Sequence, residues 1–161
     1  VGRLAAEKGV PTLIQAAGQL PYPLKLIGDG PLLDGLRAKP PPPHIEVLGR
    51  KRWEELKGIL AGARFSVMPS ECCENNPLSL IESLGLGTPV LGARMGGIPE
   101  MIEAGRNGRL FQSGQVEDLK AGIRAFFESP PMDYAAIAGG ARRKYSSDAH
   151  YEALMALYAR R

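Results

Sequence analysis

Two acids and two cations are the residues of this chain best suited to chemistry. Glu74 and Glu82 stand eight positions apart, and Arg3 and Lys8 lie near the start. The acids belong to the stretch "PSECCENNPLSLIESLGLGTPV" at 69–90. "ARFSVMPS" before it reads as a short buried strand, apolar at Phe65, Val67 and Met68 and stopped by Pro69. "PLSLIESLGLG" reads as a buried helix with Asn76 as N-cap, Pro77 at its first position and Gly85 and Gly87 at its far end. Where a strand ends and a helix begins, free N–H groups and the positive end of the helix dipole favour an anion. Two carboxylates at such a junction suit the hydroxyl-rich remainder of a phosphorylated ligand, a ribose or a hexose, better than the phosphate itself. Arg3, as a fork, and Lys8, as a point charge, have the chemistry of a clamp on a diphosphate. Each residue also has a plainer reading. Arg3 and Lys8 could be a solvated pair, Glu74 an ordinary loop acid, and Asn75-Asn76 merely loop and cap. Glu82, among Leu80, Ile81 and Leu84, reads as a largely buried acid that needs a partner.

The elements that must carry these residues alternate from end to end. Val1 reads as the last residue of a strand whose body lies before the given sequence, with Gly2-Arg3 as the turn after it. "KGVPTLIQAAGQL", "PLLDGLRAK", "RWEELKGILAGA", "IPEMIEAG" and "QVEDLKAGIRAFFES" read as helices. "LKLIGDG", "HIEVLG", "RFSVM", "TPVLGA" and "GRLF" read as strands. "KPPPPH" must be an extended connector. Two further helices close the chain, the last at 148–160 with Ser147 or Asp148 as its cap. The alternation predicts an α/β fold, a Rossmann-like parallel sheet with helices on both faces and a truncated first strand. Ligands of such sheets lie beyond the carboxyl ends of the strands. There the chain offers turns at 2–8, 28–30, 49–51, 69–76 and 93–98.

The 161 residues suffice for one domain with a real core, and none of the segments looks like a linker. A hydrophobic content of 44%, a charged content of 23% and a net charge of +3 fit a soluble globular protein and argue against a nucleic-acid partner. "ARRK" at 141–144 reads as a solvated helix face, and His44 and His150 as surface residues. No apolar run is long enough to span a bilayer, there is no leader pattern, and adjacent Cys72 and Cys73 read as reduced thiols, so the expected compartment is the cytoplasm. "GDGPLLDG" has leucine where the dinucleotide fingerprint needs its third glycine. There is no Walker-type phosphate loop, no G-x-S-x-G and no metal-ligand spacing.

"GRLAAEKGVPTLIQA", "LKLIGDGPL", "IEVLGR", "PSECCENNPLSLIESLGLGTPVLGARMGGIPEMI" and "GRNGRLF", taken in order over 1–111, resemble the nucleotide-sugar-binding half of a family-four (group 1) glycosyltransferase. That half is the carboxy-terminal Rossmann-like domain of the GT-B architecture. The Glu-x₇-Glu signature of these retaining enzymes falls on Glu74 and Glu82. The resemblance implies that Arg3 and Lys8 neutralise the donor diphosphate, that Glu74 touches the donor sugar and that Glu82 holds the ribose. By the same resemblance Gly28, Asp29 and Gly30, with Arg50 and Lys51, flank the nucleoside, and the loop through Asn75, Asn76 and Leu78 offers N–H groups. Relatives often have glycine where this chain has Pro77, which removes one donor. The implied partners are a nucleotide-sugar donor and an amino-terminal acceptor domain outside the given sequence, with 148–160 packing toward that domain. No cofactor or metal is implied, and any peripheral membrane association is expected only through the full-length enzyme. The resemblance makes the chain a donor-binding domain in polysaccharide or glycolipid synthesis, inactive alone. A non-catalytic nucleotide-binding or scaffolding domain and a sugar-nucleotide epimerase of the same architecture stay as alternatives.

Overall fold

A computed structural model describes residues 1–159, so Arg160 of the expected last helix lies outside the described residues. The strands are β1 (Leu24–Ile27), β2 (Ile45–Gly49), β3 (Ser66–Met68), β4 (Val90–Ala93) and β5 (Gly108–Phe111). The helices are α1 (Val10–Ala17), α2 (Leu33–Ala38), α3 (Trp53–Ala61), α4 (Leu78–Gly85), α5 (Ile98–Met101), α6 (Val116–Glu128), α7 (Tyr134–Tyr145) and α8 (Ser147–Tyr158). Every strand pair is parallel, as the alternation requires. The expected single sheet is divided into two ladders, β1-β2 and β3-β4-β5. Val1–Leu4 forms no strand, yet it runs along the free edge of β1. The Gly2 amide donates to the Ile27 carbonyl (3.0 Å) and the Leu4 amide to the Asp29 carbonyl (2.8 Å).

Helices cover both faces, and β4 shows why. All four of its residues are buried. Leu91 and Ala93 join Phe111 of β5 against Leu13, Ala16 and Ala17 of α1 and Leu119, Ile123 and Phe126 of α6. Val90 joins Leu80 and Leu84 of α4, Ile98 and Met101 of α5, and Ile137 and Ala141 of α7. A strand buried on both faces loses the apolar–polar alternation of a half-exposed one, which is why "TPVLGA" reads as one apolar run. Each large side chain fully buried here is worth roughly 1.5–3 kcal/mol.

Local differences from the sequence reading have physical causes. Pro77, not Asn76, is the N-cap of α4: its ψ of 110° keeps it out of the helix while its carbonyl accepts from the Leu80 amide (3.0 Å). Asn76 is left exposed, with no capping bond. Ser146 caps α8 instead of Ser147 or Asp148, its hydroxyl oxygen accepting from the Ala149 amide. His44 is half-buried, its Nε2 lying 3.1 Å from the Ala17 carbonyl oxygen at the end of α1. α8 has no buried residue and packs beside α7.

Gly9 links the first turn to α1 with φ +67°, and a Cβ there would run into the Pro69 carbonyl. Gly35, inside α2, has open space around it. Gly9→Ala is therefore expected to destabilise the chain by about 1–3 kcal/mol, and Gly35→Ala to stabilise it by up to about 1 kcal/mol. Urea unfolding of the two variants tests the contrast.

Candidate functional site

A cleft of about 420 Å³ opens where Val1–Leu4, the end of β3 and the head of α4 meet. Arg3, Lys8, Ser70, Glu74, Asn76, Leu78 and Ser79 all line it. Lys8 ends a short 3-10 turn, Ala6–Lys8, whose carboxyl end Gly9 closes in the left-handed region. This turn aims the Lys8 ammonium across the cleft at Glu74, and Nζ donates to Oε1 at 2.6 Å. The Ser70 hydroxyl donates to the same oxygen, also at 2.6 Å. Oε2 has no hydrogen-bond partner among the described residues. Burial alone would raise the Glu74 carboxyl, but the hydrogen bonds from Lys8 and Ser70 and the lysine charge outweigh it and hold the group below the ordinary carboxylate value of 4.5. The hydrogen bond to Glu74 raises Lys8 above its ordinary 10.5, against a smaller effect of burial. Both groups are thus charged across the whole physiological range.

The loop that presents Glu74 is fixed by its backbone. The Glu74 carbonyl accepts from the Gly97 amide at 2.6 Å. A Cβ on Gly96 (φ +54°) would strike that carbonyl, and one on Gly97 would strike the carbonyl of Asn75. Buried Ser70 is anchored through its own carbonyl, which accepts from the Ser113 hydroxyl (2.9 Å). The Glu71 amide bonds to the Glu7 carbonyl (3.0 Å), tying this loop to the first turn. The sequence reading passed over Ser70, Gly96 and Gly97 as site residues. The glycine pair directly before "IPEM", at the end of a strand, was the available signal.

The other candidates divide by position. Arg3 stands at the exposed rim and pairs with Glu7 (3.4 Å). The amides of Leu78 and Ser79 are the first two of α4 and have no acceptor within the helix. Asn75 is exposed and does not line the cleft. Glu82 does not line it either. It is half-buried on α4, one turn beyond Leu78 on the same helix face, with no side-chain partner among the described residues. Gly28, Asp29 and Gly30 lie outside the lining, and their conformation has an internal cause. With φ of +146° and +152°, Gly28 and Gly30 let the main chain of Gly2 and Leu4 approach, where side chains would collide. Asp29 turns its own carboxylate to the Gly30 amide (2.7 Å). Arg50 is exposed, and Lys51 pairs with Glu55 (3.1 Å) beside α3, away from the cleft. Among the described residues there is no cluster of metal-ligating side chains, and no helix is long and apolar enough to cross a membrane.

Residues 1–144 match the family described as glycosyl transferases group 1. The chain belongs to that family. It is 35% identical over 126 residues to an uncharacterized glycosyltransferase of Methanocaldococcus jannaschii, covering 76% of this chain and 36% of that protein. It is also 35% identical over 128 residues to the sulfoquinovosyl transferase SQD2 of Arabidopsis thaliana, covering 77% of this chain and 25% of that one. The chain thus spans about a quarter to a third of the lengths of these two family relatives. Among solved structures, Anabaena HepE in complex with UDP superposes with a TM-score of 0.82 at 20% identity, over 98% of this chain and 48% of that one. The apo form of the lipopolysaccharide galactosyltransferase WaaB gives 0.84 at 22% identity, over 99% and 48%. At such identities the likeness speaks for the fold, which is that of a half of these longer glycosyltransferase chains.

A carboxyl held low in the fold contributes stability that is present above its unfolded value, near 4.5, and lost as pH falls through its folded value. Glu74→Gln is expected to be less stable than the native chain at pH 7. The difference should shrink toward zero as the pH is lowered below about 4. Urea midpoints across a pH series give the measurement, and a gap that persists unchanged into acid would contradict the charge reading.

Proposed function

We propose that the cleft binds a nucleotide diphosphate sugar and that the chain is the donor half of a retaining glycosyltransferase. The observation that carries this is the constellation at one mouth: Lys8 and Arg3, the unpaired amides of Leu78 and Ser79, and a carboxylate, Glu74, with one oxygen held and one unpartnered. The family membership and the UDP bound by Anabaena HepE support the ligand class.

In this reading Lys8 and Arg3 face the diphosphate, and the α4 amides add hydrogen bonds along the helix dipole. As the bond from the anomeric carbon to the diphosphate oxygen breaks, negative charge grows on the departing phosphate. Donors already aimed there stabilise that charge, each typically being worth about 10²–10³ in rate. Fixed side-chain and main-chain charge thus performs the task that a metal performs elsewhere, and the reading needs no metal. The unpartnered Oε2 of Glu74 accepts a hydroxyl of the donor sugar. Lys8 and Ser70 keep that carboxyl ionised and oriented. Glu82, one turn along α4, takes the ribose, while Gly28–Gly30 and Arg50-Lys51 flank the nucleoside beyond the cleft. Asn75 and Asn76 shape the loop between sugar and phosphate. In this reading the acceptor is held by an amino-terminal domain outside the given sequence, and polysaccharide or glycolipid assembly at the cytoplasmic side is the setting.

Isothermal titration with UDP, GDP, ADP and their sugars is the test. One nucleoside diphosphate series should bind. Arg3→Ala and Lys8→Ala are each expected to weaken it roughly tenfold or more, the worth of a charge-assisted hydrogen bond. Glu82→Ala should weaken it as well, and Arg142→Ala, at an exposed position of α7, should leave it unchanged. Silence toward every nucleotide would count for a family member that kept the fold without the ligand. The chain alone is expected to bind without transferring sugar, as radiolabelled donor and a pool of acceptors would reveal.

A further inference from the structure

At the sheet edge opposite the candidate site, two half-buried arginines have no carboxylate partner among the described residues. Arg64 stands just before β3, and Arg109 is second in β5. Arg64 is well matched. Its Nε donates to the Phe126 carbonyl (2.7 Å) and its Nη2 to the carbonyls of Phe127 (3.3 Å) and Ser129 (2.9 Å). These groups end α6, where the helix dipole suits a cation. Arg109 is not so matched. Its Nη2 donates to the Ser129 hydroxyl (3.1 Å), and its guanidinium carbon lies 5.8 Å from the centre of the Phe126 ring. Its Nε is buried with no hydrogen-bond partner among the described residues. An unmet donor on a charged group is costly. The acids nearest in sequence do not meet it: Glu128 is exposed, and Asp133 caps α7 by accepting from the Ala136 amide (2.9 Å).

Both arginines line one small cavity of about 20 Å³, together with Pro89, Phe126, Pro130 and Met132. We propose that this cavity is a site for a single chloride ion, which accepts from the Arg109 Nε and is shared with Arg64. Size sets the class, because the space suits one body about as large as a water molecule and excludes a sulfate, a phosphate or a carboxylate ligand. Charge and hydrogen bonding then choose between an anion and water. A water must donate as well as accept, and the acceptors at hand are engaged. The Pro89 carbonyl accepts from the Ser66 amide (2.9 Å), the Arg64 carbonyl from the Tyr134 hydroxyl (3.3 Å), and the Phe126 and Ser129 carbonyls from Arg64. Guanidinium groups only donate, which matches an ion that only accepts. The proline, phenylalanine and methionine walls ask for no further bond. A chloride here ties the start of β3, the start of β5 and the connector from α6 to α7 into one unit. The site is independent of the nucleotide reading.

Urea unfolding of the chain in mixtures of potassium chloride and potassium gluconate, at constant ionic strength, is the first test. A single site raises the folding constant by a factor of one plus the chloride concentration over its Kd, so roughly tenfold at ten times Kd, and more slowly beyond. The native midpoint should rise in that way, and the midpoint of Arg109→Gln should not. Comparison with the variant removes the general effect of the salts on unfolding. Should Arg109→Gln fail to fold, Arg109→Lys, which keeps the charge without the Nε donor, is read in the same way. The second test is a crystal of the native chain grown in bromide, with an anomalous peak expected within hydrogen-bond reach of the Arg109 Nε. An equal chloride response in native chain and variant overturns the proposal. So does a bromide crystal in which a water or the Glu128 carboxylate stands at that nitrogen.

Discussion

The contact between Lys8 and Glu74 ties together what the chain holds far apart. It joins the turn before α1 to the loop before α4, 66 positions on, at the rim where the strands end. Neither partner stands where it does by its own propensity. Gly9 lets the lysine turn pack on Pro69, and Gly96-Gly97 let the glutamate loop close against the segment after β4. The ion pair is partly exposed, with about a third of the lysine side chain in water, so it adds little to stability by itself. Its value lies in placing a cation and an ionised acid side by side over a helix amino end.

Much of the fold was legible, because its strongest signals are local. Alternating apolar runs and glycine or proline stops locate all five strands and the helices between them. Caps were less legible. Asn76 and Pro77 satisfy the rules for cap and first position, but buried Pro77, its φ of −67° compatible with a helix, has an extended ψ of 110°, and the helix starts one position later. Division of the sheet could not be read from periodicity at all, since strand neighbours are a matter of long-range pairing.

The candidate site was legible in part. Arg3, Lys8, Glu74, Asn76 and Leu78 do share a cleft. Glu82 shares only a helix face with it, because a spacing of eight that begins in a loop does not fix where the second residue points. Gly28 and Gly30 were noticed for a ligand, yet their backbone angles answer first to the main chain of Gly2 and Leu4. Ser70 was missed because a lone serine after a proline carries no periodicity, and only the folded loop shows its hydroxyl aimed at the carboxylate.

α8 is the least integrated element described. It buries none of its residues, and Tyr151, Leu154, Met155, Leu157 and Tyr158 meet water. A helix of 12 residues with so little tertiary support is marginal in isolation, so its melting is weakly coupled to that of the sheet. Calorimetry of the chain would then report one main transition from the sheet and its flanking helices, with α8 fraying earlier as a shallow, noncooperative slope.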